Sequence, residues 1–373
     1  MAARVMKVRN SSAEREAIVA ASEVLDRGGL VVIPTETVYG VAARADRPEG
    51  IRRLRELKIR DDGKPFTLHL GSRAHVETYV GPLTGYARRI TTKGWPGPLT
   101  LVFTVPPAVR ETVAADRGPR TSDEIYFEGT VGIRYPDHEL ACAVLREAGG
   151  PVVASSANRA GDPAPTTAAE SIERLAGDVD LVLDAGTTRY TRSSTVARVN
   201  ENGFEILREG VYDARTLERL AVLRLLFICS GNTCRSPMAE GLCKRLLAER
   251  IGCSVEDLPA RRILVESAGT SGGGGGASEG ARRAMAARGI DLSGHGSRLL
   301  TADLARQADY LFVMTPSHYL AVLDLAPELE SRVRLLDERR AIEDPFGGDD
   351  AAYEACAAQI EQALIRRLQE VQP

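Results

Sequence analysis

The stretch Phe227–Glu240, FICSGNTCRSPMAE, ends an apolar run at a cysteine and packs small polar residues, an arginine and Ser-Pro behind it. Together with the preceding LRLL it reads as a buried strand closing at Cys229, a turn, and a helix opening at Ser236. That order places the sulfur at a helix N-terminus, where unpaired backbone N–H groups point outward. The loop Ser230, Gly231, Asn232, Thr233, Cys234 can curl into a nest of amides around phosphate oxygens, Gly231 permitting a turn that most residues resist. Pro237 suits the first helical turn, where its missing N–H costs nothing. Such an electropositive setting favours a thiolate and hence a nucleophile. Arg235 can hold a phosphoryl group bidentately as charge builds, and Ser236 can donate a hydrogen bond to the sulfur anion. A cysteine and an arginine six apart also arise by chance, as a core thiol and a surface charge; the strand, the Gly-Asn turn and the Ser-Pro start distinguish this pair. Cys234 reads either as a trap for oxidised Cys229 through a disulfide or as a small packing residue.

Outward from this stretch, strands and helices alternate: ILVESAG, a helix near 278–289, YLFVM, VRLLD and a long C-terminal helix. Regular alternation implies a doubly wound parallel α/β sheet with helices on both faces. The 373 residues exceed the usual size of one core, so two domains are expected, 1–212 and 223–373, with a connector at 213–222. The connector is poor in Pro and Gly, which predicts docked domains over freely swinging ones. The first half is strand-rich mixed α/β: the helix AEREAIVAASEVLDRGG, then LVVIP, FTLHL, LTLVFTV, TVGIRYP, PVVAS, LVLDAG, STVARV and FEILREG as strands, with HELACAVLREAG as a helix. The glycine run 272–276 is expected to be a mobile loop without precise chemistry.

Composition narrows the class. The chain is 43% hydrophobic and 27% charged with a formal net charge of −3, and no apolar stretch reaches membrane-spanning length. Residues 1–212 hold 28 Lys+Arg against 28 Asp+Glu, leaving 20 against 23. Bulk charge therefore gives neither half a nucleic-acid-binding character; contact with RNA would need a local patch such as RRLRELKIR, and that run also fits the solvated face of a helix. The N-terminus has no signal-type apolar core, and the six cysteines follow no disulfide or CxxC spacing, so a reducing cytoplasm is expected.

CSGNTCRSPMAE, followed by ESAGTS, RGIDLSGHGSRLLT, ADYLFVMT and EDPFGG, resembles the low-molecular-weight protein tyrosine phosphatase family across nearly all of 223–373. The resemblance implies a four-stranded phosphatase I-like sheet, Cys229 as nucleophile, Arg235 as phosphate clamp and Asp344 as general acid, with no cofactor. An acid there makes chemical sense, because the leaving group departs badly unless protonated and the resulting carboxylate can then activate water. Thr233 and DPFGG are similar to the protein-arginine phosphatase branch: a small polar side chain leaves room for a guanidinium phosphoramidate, where an aliphatic one favours a phenyl ring. Phe346 then lines the entrance. Phosphotyrosine phosphatase and arsenate reductase are the rival readings, the latter needing further thiols on a mobile loop, whereas Cys243, Cys253 and Cys356 sit in or beside expected helices.

The first half has no GxxxxGK[ST] and no GxGxxG. Its scattered pieces PTETVYG, KIR, PFTLHL, SSAN, STVAR and LREG, in this order, resemble the YrdC-like L-threonylcarbamoyladenylate synthases over about 10–212. That family condenses L-threonine, bicarbonate and ATP for threonylcarbamoyladenosine in tRNA. The resemblance puts threonine at Thr37, His69, Arg134, Ser156 and Ser194, and ATP at Lys58, Arg60, Lys64, Thr130, Asn158, Thr166 and Arg208. Lys58, Arg60 and Arg208 are the cations expected to neutralise the departing pyrophosphate with Mg2+ that accompanies ATP. No dedicated metal site is expected. The implied partners are phosphorylated proteins for the second half and tRNA or the threonylcarbamoyl transferase machinery for the first, with no membrane; a first half that only binds RNA is the rival.

Overall fold

The computed structural model describes residues 3–59, 65–175, 177–200, 203–271 and 274–371, and the chain divides into two compact units, 1–221 and 222–373. Arg60 and Lys64, expected at ATP, lie outside the described residues, as do Gly272 and Gly273 of the glycine run.

In the first unit ten strands form one mixed sheet: β1 (Arg4–Lys7), β2 (Val31–Ile33), β3 (Gly40–Arg44), β4 (Thr67–His69), β5 (Leu99–Thr104), β6 (Thr130–Arg134), β7 (Val152–Ser156), β8 (Leu181–Asp184), β9 (Thr195–Val199) and β10 (Phe204–Arg208). Their spatial order is β1-β8-β2-β3-β7-β4-β6-β5-β9-β10. The first helix, Ser11–Asp26, starts because the Asn10 side chain accepts from the amides of Ser12 and Ala13, and it buries Ala17, Ala20, Ala21, Val24 and Leu25 along one stripe. Two strands escape the pattern reading. β3 is buried on both faces and shows no alternation, and β1 is a short, largely exposed edge paired in parallel with β8.

Side-chain alternation sorts the sheet into two faces. One carries Val32, Val41, Leu68, Leu99, Leu101, Val131, Ile133, Val153 and Ala197 into the main core. The opposite face carries Val31, Ile33, Ala42, Val152, Ala154, Leu181 and Leu183, packed with the helices Ser11–Asp26 and Glu139–Glu147. Further along that second face, on β4, β6 and β5, the outward residues are Thr67, His69, Thr130, Gly132, Arg134 and Thr100. These six residues therefore share a single stretch of one sheet face. Residues 213–222, expected as a connector, contain the helix Ala214–Ala221 with Leu217 in the core, and Arg89 Nε donates to Ala221 O at 2.7 Å.

The second unit is the expected doubly wound fold: β11 (Leu223–Cys229), β12 (Ile263–Gly269), β13 (Tyr310–Val313) and β14 (Val333–Leu335), all parallel in the order β12-β11-β13-β14. In β11, Leu223, Leu225, Phe227 and Cys229 face the helices Arg235–Ile251, Glu279–Ala286 and Asp350–Arg367, while Leu226 and Ile228 face the other core. The central strand thus carries its last side chain, the thiol, to the end of the larger core.

Candidate active sites

In the second unit β11 ends at Cys229 and the helix begins at Arg235, so five residues make the loop between them. The left-handed position falls on Asn232, at φ +55°, and not on Gly231, which corrects the expectation for the glycine. Asparagine accepts this conformation more readily than most residues. Here its side chain is also fully used: Nδ2 donates to Ser236 Oγ at 2.9 Å and Ser267 Oγ at 2.8 Å, and Oδ1 accepts from Arg298 N at 2.9 Å. Ser297 Oγ donates to its carbonyl at 2.8 Å, and His295 Nε2 lies at the same distance. A Cβ on Gly269 would lie 2.5 Å from Ser230 O and 3.0 Å from Asn232 N, so the end of β12 must be glycine for the loop to pack against it.

This frame fixes the chemistry-bearing groups. Cys229 is 2% exposed, with Sγ 3.0 Å from Ser236 Oγ. Arg235 donates from Nη1 to Ile342 O at 3.2 Å, and from Nη2 to Ser230 Oγ at 3.3 Å and Asp344 Oδ2 at 2.5 Å. The loop of Asp344 is therefore brought over the clamp, and Phe346 beside it is 74% exposed. Cys234 and Cys229 are free thiols; Cys234 Sγ donates to Ser278 Oγ at 3.1 Å and lies 3.6 Å from Tyr353 OH. Ser278 N donates to Thr233 O at 2.8 Å. Cys243 and Cys356 sit in helices, their thiols pushed up by burial, Cys356 to about 12. Further along the glycine run, Gly275 O accepts from Ser297 N at 2.8 Å.

His318 escaped the sequence reading. Its Nε2 lies 2.9 Å from Ser230 Oγ and its Nδ1 2.8 Å from Thr315 Oγ1, while burial and the neighbouring Arg235 push the imidazole down to about 4. It orients the first hydroxyl of the loop as a neutral ring. Only the tertiary packing of the helix Pro316–Leu325 signals it.

In the first unit the expected threonine and ATP residues fall mostly on the polar stretch of sheet face. Arg134 Nη2 donates to Thr37 Oγ1 at 2.7 Å and to Glu36 Oε1 at 3.0 Å. His69 stands opposite Arg134 in register; its Nδ1 donates to Thr67 O at 2.9 Å, and burial with the nearby guanidinium lowers the ring to about 3, leaving Nε2 as a bare acceptor. Arg208 Nη2 donates to Ser194 O at 2.8 Å and Ser194 Oγ at 3.3 Å, and Ser194 Oγ is 3.0 Å from Thr100 Oγ1. Burial and Arg134 both push Arg208 down. A β-bulge explains its place. Phe204 and Ile206 pair with Val199 and Ala197 on the core side, but the register slips after Ile206, so Arg208 pairs with Val196 and comes to the polar face.

A second group surrounds Lys58 at the end of the helix Pro48–Lys58. Its Nζ donates to Asn158 O at 2.7 Å, Asn158 Oδ1 at 3.1 Å and Ser156 O at 3.1 Å. Ala157 N donates to Tyr39 O at 2.8 Å, tying this turn to the loop of Thr37. Thr166 is capped by Glu170, its amide donating to Oε2 at 2.8 Å, and its carbonyl accepts from Thr188 N at 3.0 Å. Thr130 stands four residues before Arg134, its hydroxyl donating to Phe127 O at 2.8 Å. Among the described residues no group of three or more His, Cys, Asp or Glu is placed to hold a metal ion.

Comparison with known proteins follows the same division. The Sua5/YciO/YrdC model, described as "Telomere recombination", matches residues 23–210, and the model for low molecular weight phosphotyrosine protein phosphatase matches 224–373. A threonylcarbamoyl-AMP synthase of Bacillus subtilis strain 168 is 34% identical over 52% of this chain, which covers 53% of that protein. The chain thus spans about half the length of that relative. A threonylcarbamoyl-AMP synthase of Pyrococcus abyssi is 31% identical over 69% of this chain and 73% of its own length. A solved P. abyssi Sua5 variant shares the fold, with TM-score 0.50 at 22% identity over 89% of this chain and 98% of that one. The chain belongs to the Sua5/YciO/YrdC family and joins to it, from residue 224 onward, a domain of the low-molecular-weight phosphotyrosine protein phosphatase family.

Proposed function

We propose that the chain is a bifunctional enzyme, making L-threonylcarbamoyladenylate from L-threonine, bicarbonate and ATP in its first unit and hydrolysing phosphorylated protein side chains in its second. The synthase reading is carried by Arg134, a buried guanidinium beside the hydroxyl of Thr37, and Arg208, a more exposed guanidinium bonded to Ser194, both on the polar stretch of one sheet face. Arg134 holds the threonine carboxylate, and Thr37, His69, Ser156 and Ser194 surround it. Lys58, Arg208, Asn158, Thr166 and Thr130, with Arg60 and Lys64, hold ATP, so that the carbamate meets the α-phosphate while cations stabilise departing pyrophosphate. Mg2+ entering with ATP would add charge neutralisation at the phosphates beside Lys58 and Arg208. The product serves tRNA modification, with tRNA or the transferase that uses the adenylate as partner.

The phosphatase reading is carried by the Cys229 sulfur held by Ser236 at a helix start beside the Arg235–Asp344 pair. Cys229 attacks phosphorus, Arg235 gathers the equatorial oxygens, and Asp344 protonates the leaving group, then activates the water that frees phosphate. Phosphoarginine is the favoured substrate, supported by the small polar Thr233 in the loop and the DPFGG sequence. ATP and reduced thiols coexist in the cytoplasm, which suits both halves. No described helix is long and apolar enough to cross a membrane.

Two assays test this. Pyrophosphate release from ATP should require both threonine and bicarbonate; release without threonine, or none at all, overturns the synthase. Turnover of phosphoarginine and phosphotyrosine peptides should favour phosphoarginine and shift toward phosphotyrosine in Thr233→Ile. An unchanged preference removes the role given to Thr233, and thioredoxin-dependent arsenate reduction would replace the phosphatase.

A further inference from the structure

Glu36, between Thr35 and Thr37 on the loop after β2, is 2% exposed. Its Oε1 accepts from Arg134 Nη2 at 3.0 Å, yet its Oε2 has no hydrogen-bond partner among the described residues. The guanidinium is incomplete in the same way: Nη2 serves Glu36, Thr37 and, at 3.4 Å, Thr35 Oγ1, while the buried Nε has no partner among the described residues. Buried polar atoms left open on both members of one ion pair are costly, which argues that a ligand completes them. The complement to a free carboxylate oxygen and a free guanidinium N–H is a small zwitterion, its cation toward the first and its anion toward the second.

Charge argues the same way. Arg134 and Arg208 are near enough that the first lowers the second, so an α-ammonium entering here meets two guanidiniums and needs an anion of its own. Burial holds His138, which Glu36 also faces, toward its neutral form. That leaves the carboxylate available to the ligand.

We propose that Glu36 receives the α-ammonium of the threonine whose carboxylate Arg134 holds, and takes the proton that this ammonium must lose before carboxylation. The inference rests on the synthase reading. An N–H bond breaks as an O–H bond forms on Glu36, leaving a neutral amine. The amine lone pair then forms the N–C bond to bicarbonate carbon, the C–OH bond breaks, and hydroxide departs with the second amine proton as water. Threonine amine and bicarbonate thus give one carbamate anion and one water, and the carbamate oxygen is the nucleophile for the α-phosphate. Arg134 orients the acid and Glu36 reads the amine, so a hydroxy acid of the same shape should be rejected.

Calorimetric binding of L-threonine and of 2,3-dihydroxybutanoate, which has a hydroxyl where threonine has its amine, tests the assignment on the full chain. Wild type should bind threonine at least about tenfold more tightly, as for one charge-assisted hydrogen bond. Glu36→Gln should lose most of that preference, with the hydroxy acid bound as before. In threonine-dependent pyrophosphate release, the same variant should raise KM for threonine and lower kcat together. Should Glu36→Gln fold poorly, Glu36→Asp, which withdraws the carboxylate by one methylene, should weaken threonine alone. Equal binding of the two ligands by wild type, or a preference retained in a folded variant, overturns the role of Glu36. Absence of threonine-dependent pyrophosphate from wild type instead overturns the synthase reading, so the two failures are distinguishable.

Discussion

Asp344 Oδ2 lies 2.5 Å from Arg235 Nη2, so the expected general acid and the expected phosphate clamp satisfy each other. A phosphoryl group seated on Arg235 competes with this carboxylate for the same nitrogen and sends it toward the leaving group. The ion pair therefore couples substrate arrival to placement of the acid. Asp344→Asn removes both the competition and the proton. Turnover should fall roughly 10²- to 10⁴-fold, the usual scale for a lost general acid. Inhibition by inorganic phosphate or vanadate should strengthen. Weaker inhibition would mean that the contact supports the clamp and does not compete for it.

The loop geometry depends on Asn232 more than on any glycine. Asn232→Ala strands buried partners at Ser236, Ser267 and Arg298, and leaves the Cβ at a positive φ without the bonds that hold it there. A loss of about 2 kcal/mol is expected, since removing one partner leaves the others unsatisfied. Asn232→Gly, relieved of the backbone strain, should lose less. Urea denaturation followed by loss of phosphatase activity measures both, and equal midpoints for the two variants would show that φ at this position carries no cost.

Acid sensitivity should trace to His318. Its folded value of about 4 lies below the ordinary 6.5, so between these limits the unfolded chain binds a proton that the folded chain refuses. The contribution of this ring is intact above pH 6.5 and is lost progressively as pH falls toward 4. His318→Asn cannot titrate and should flatten the fall in thermal midpoint of the second unit across that window. An identical pH slope in the variant would assign the acid sensitivity elsewhere. His69 confers the same dependence on the first unit, extending to about pH 3.

What was legible in the sequence divides along physical lines. Cys229, Ser236 and Arg235 lie within eight residues, so strand, turn and helix start dictate their proximity and the spacing alone reveals it. Asp344 enters from over 100 residues away and was found through a motif. Arg208 lay in a strand whose alternation put it with Phe204 and Ile206; one slipped register reversed its face, which no period-two pattern can show. β3 was missed because burial on both faces erases the alternation that marks a strand. Glu36 was hidden between two threonines in a loop, where nothing local says that its carboxylate is 2% exposed. His318 matters only because its helix is packed over the phosphate loop.

The central claim is that two separate phosphorus chemistries reside on one chain. The most direct measurement follows both reactions in a single preparation of the full chain, as wild type, Cys229→Ser and Arg134→Lys. Cys229→Ser should abolish phosphopeptide hydrolysis and leave threonine-dependent pyrophosphate release unchanged, while Arg134→Lys should do the reverse. Pyrophosphate release that ignores threonine, or hydrolysis that survives loss of the Cys229 thiol, would contradict the account.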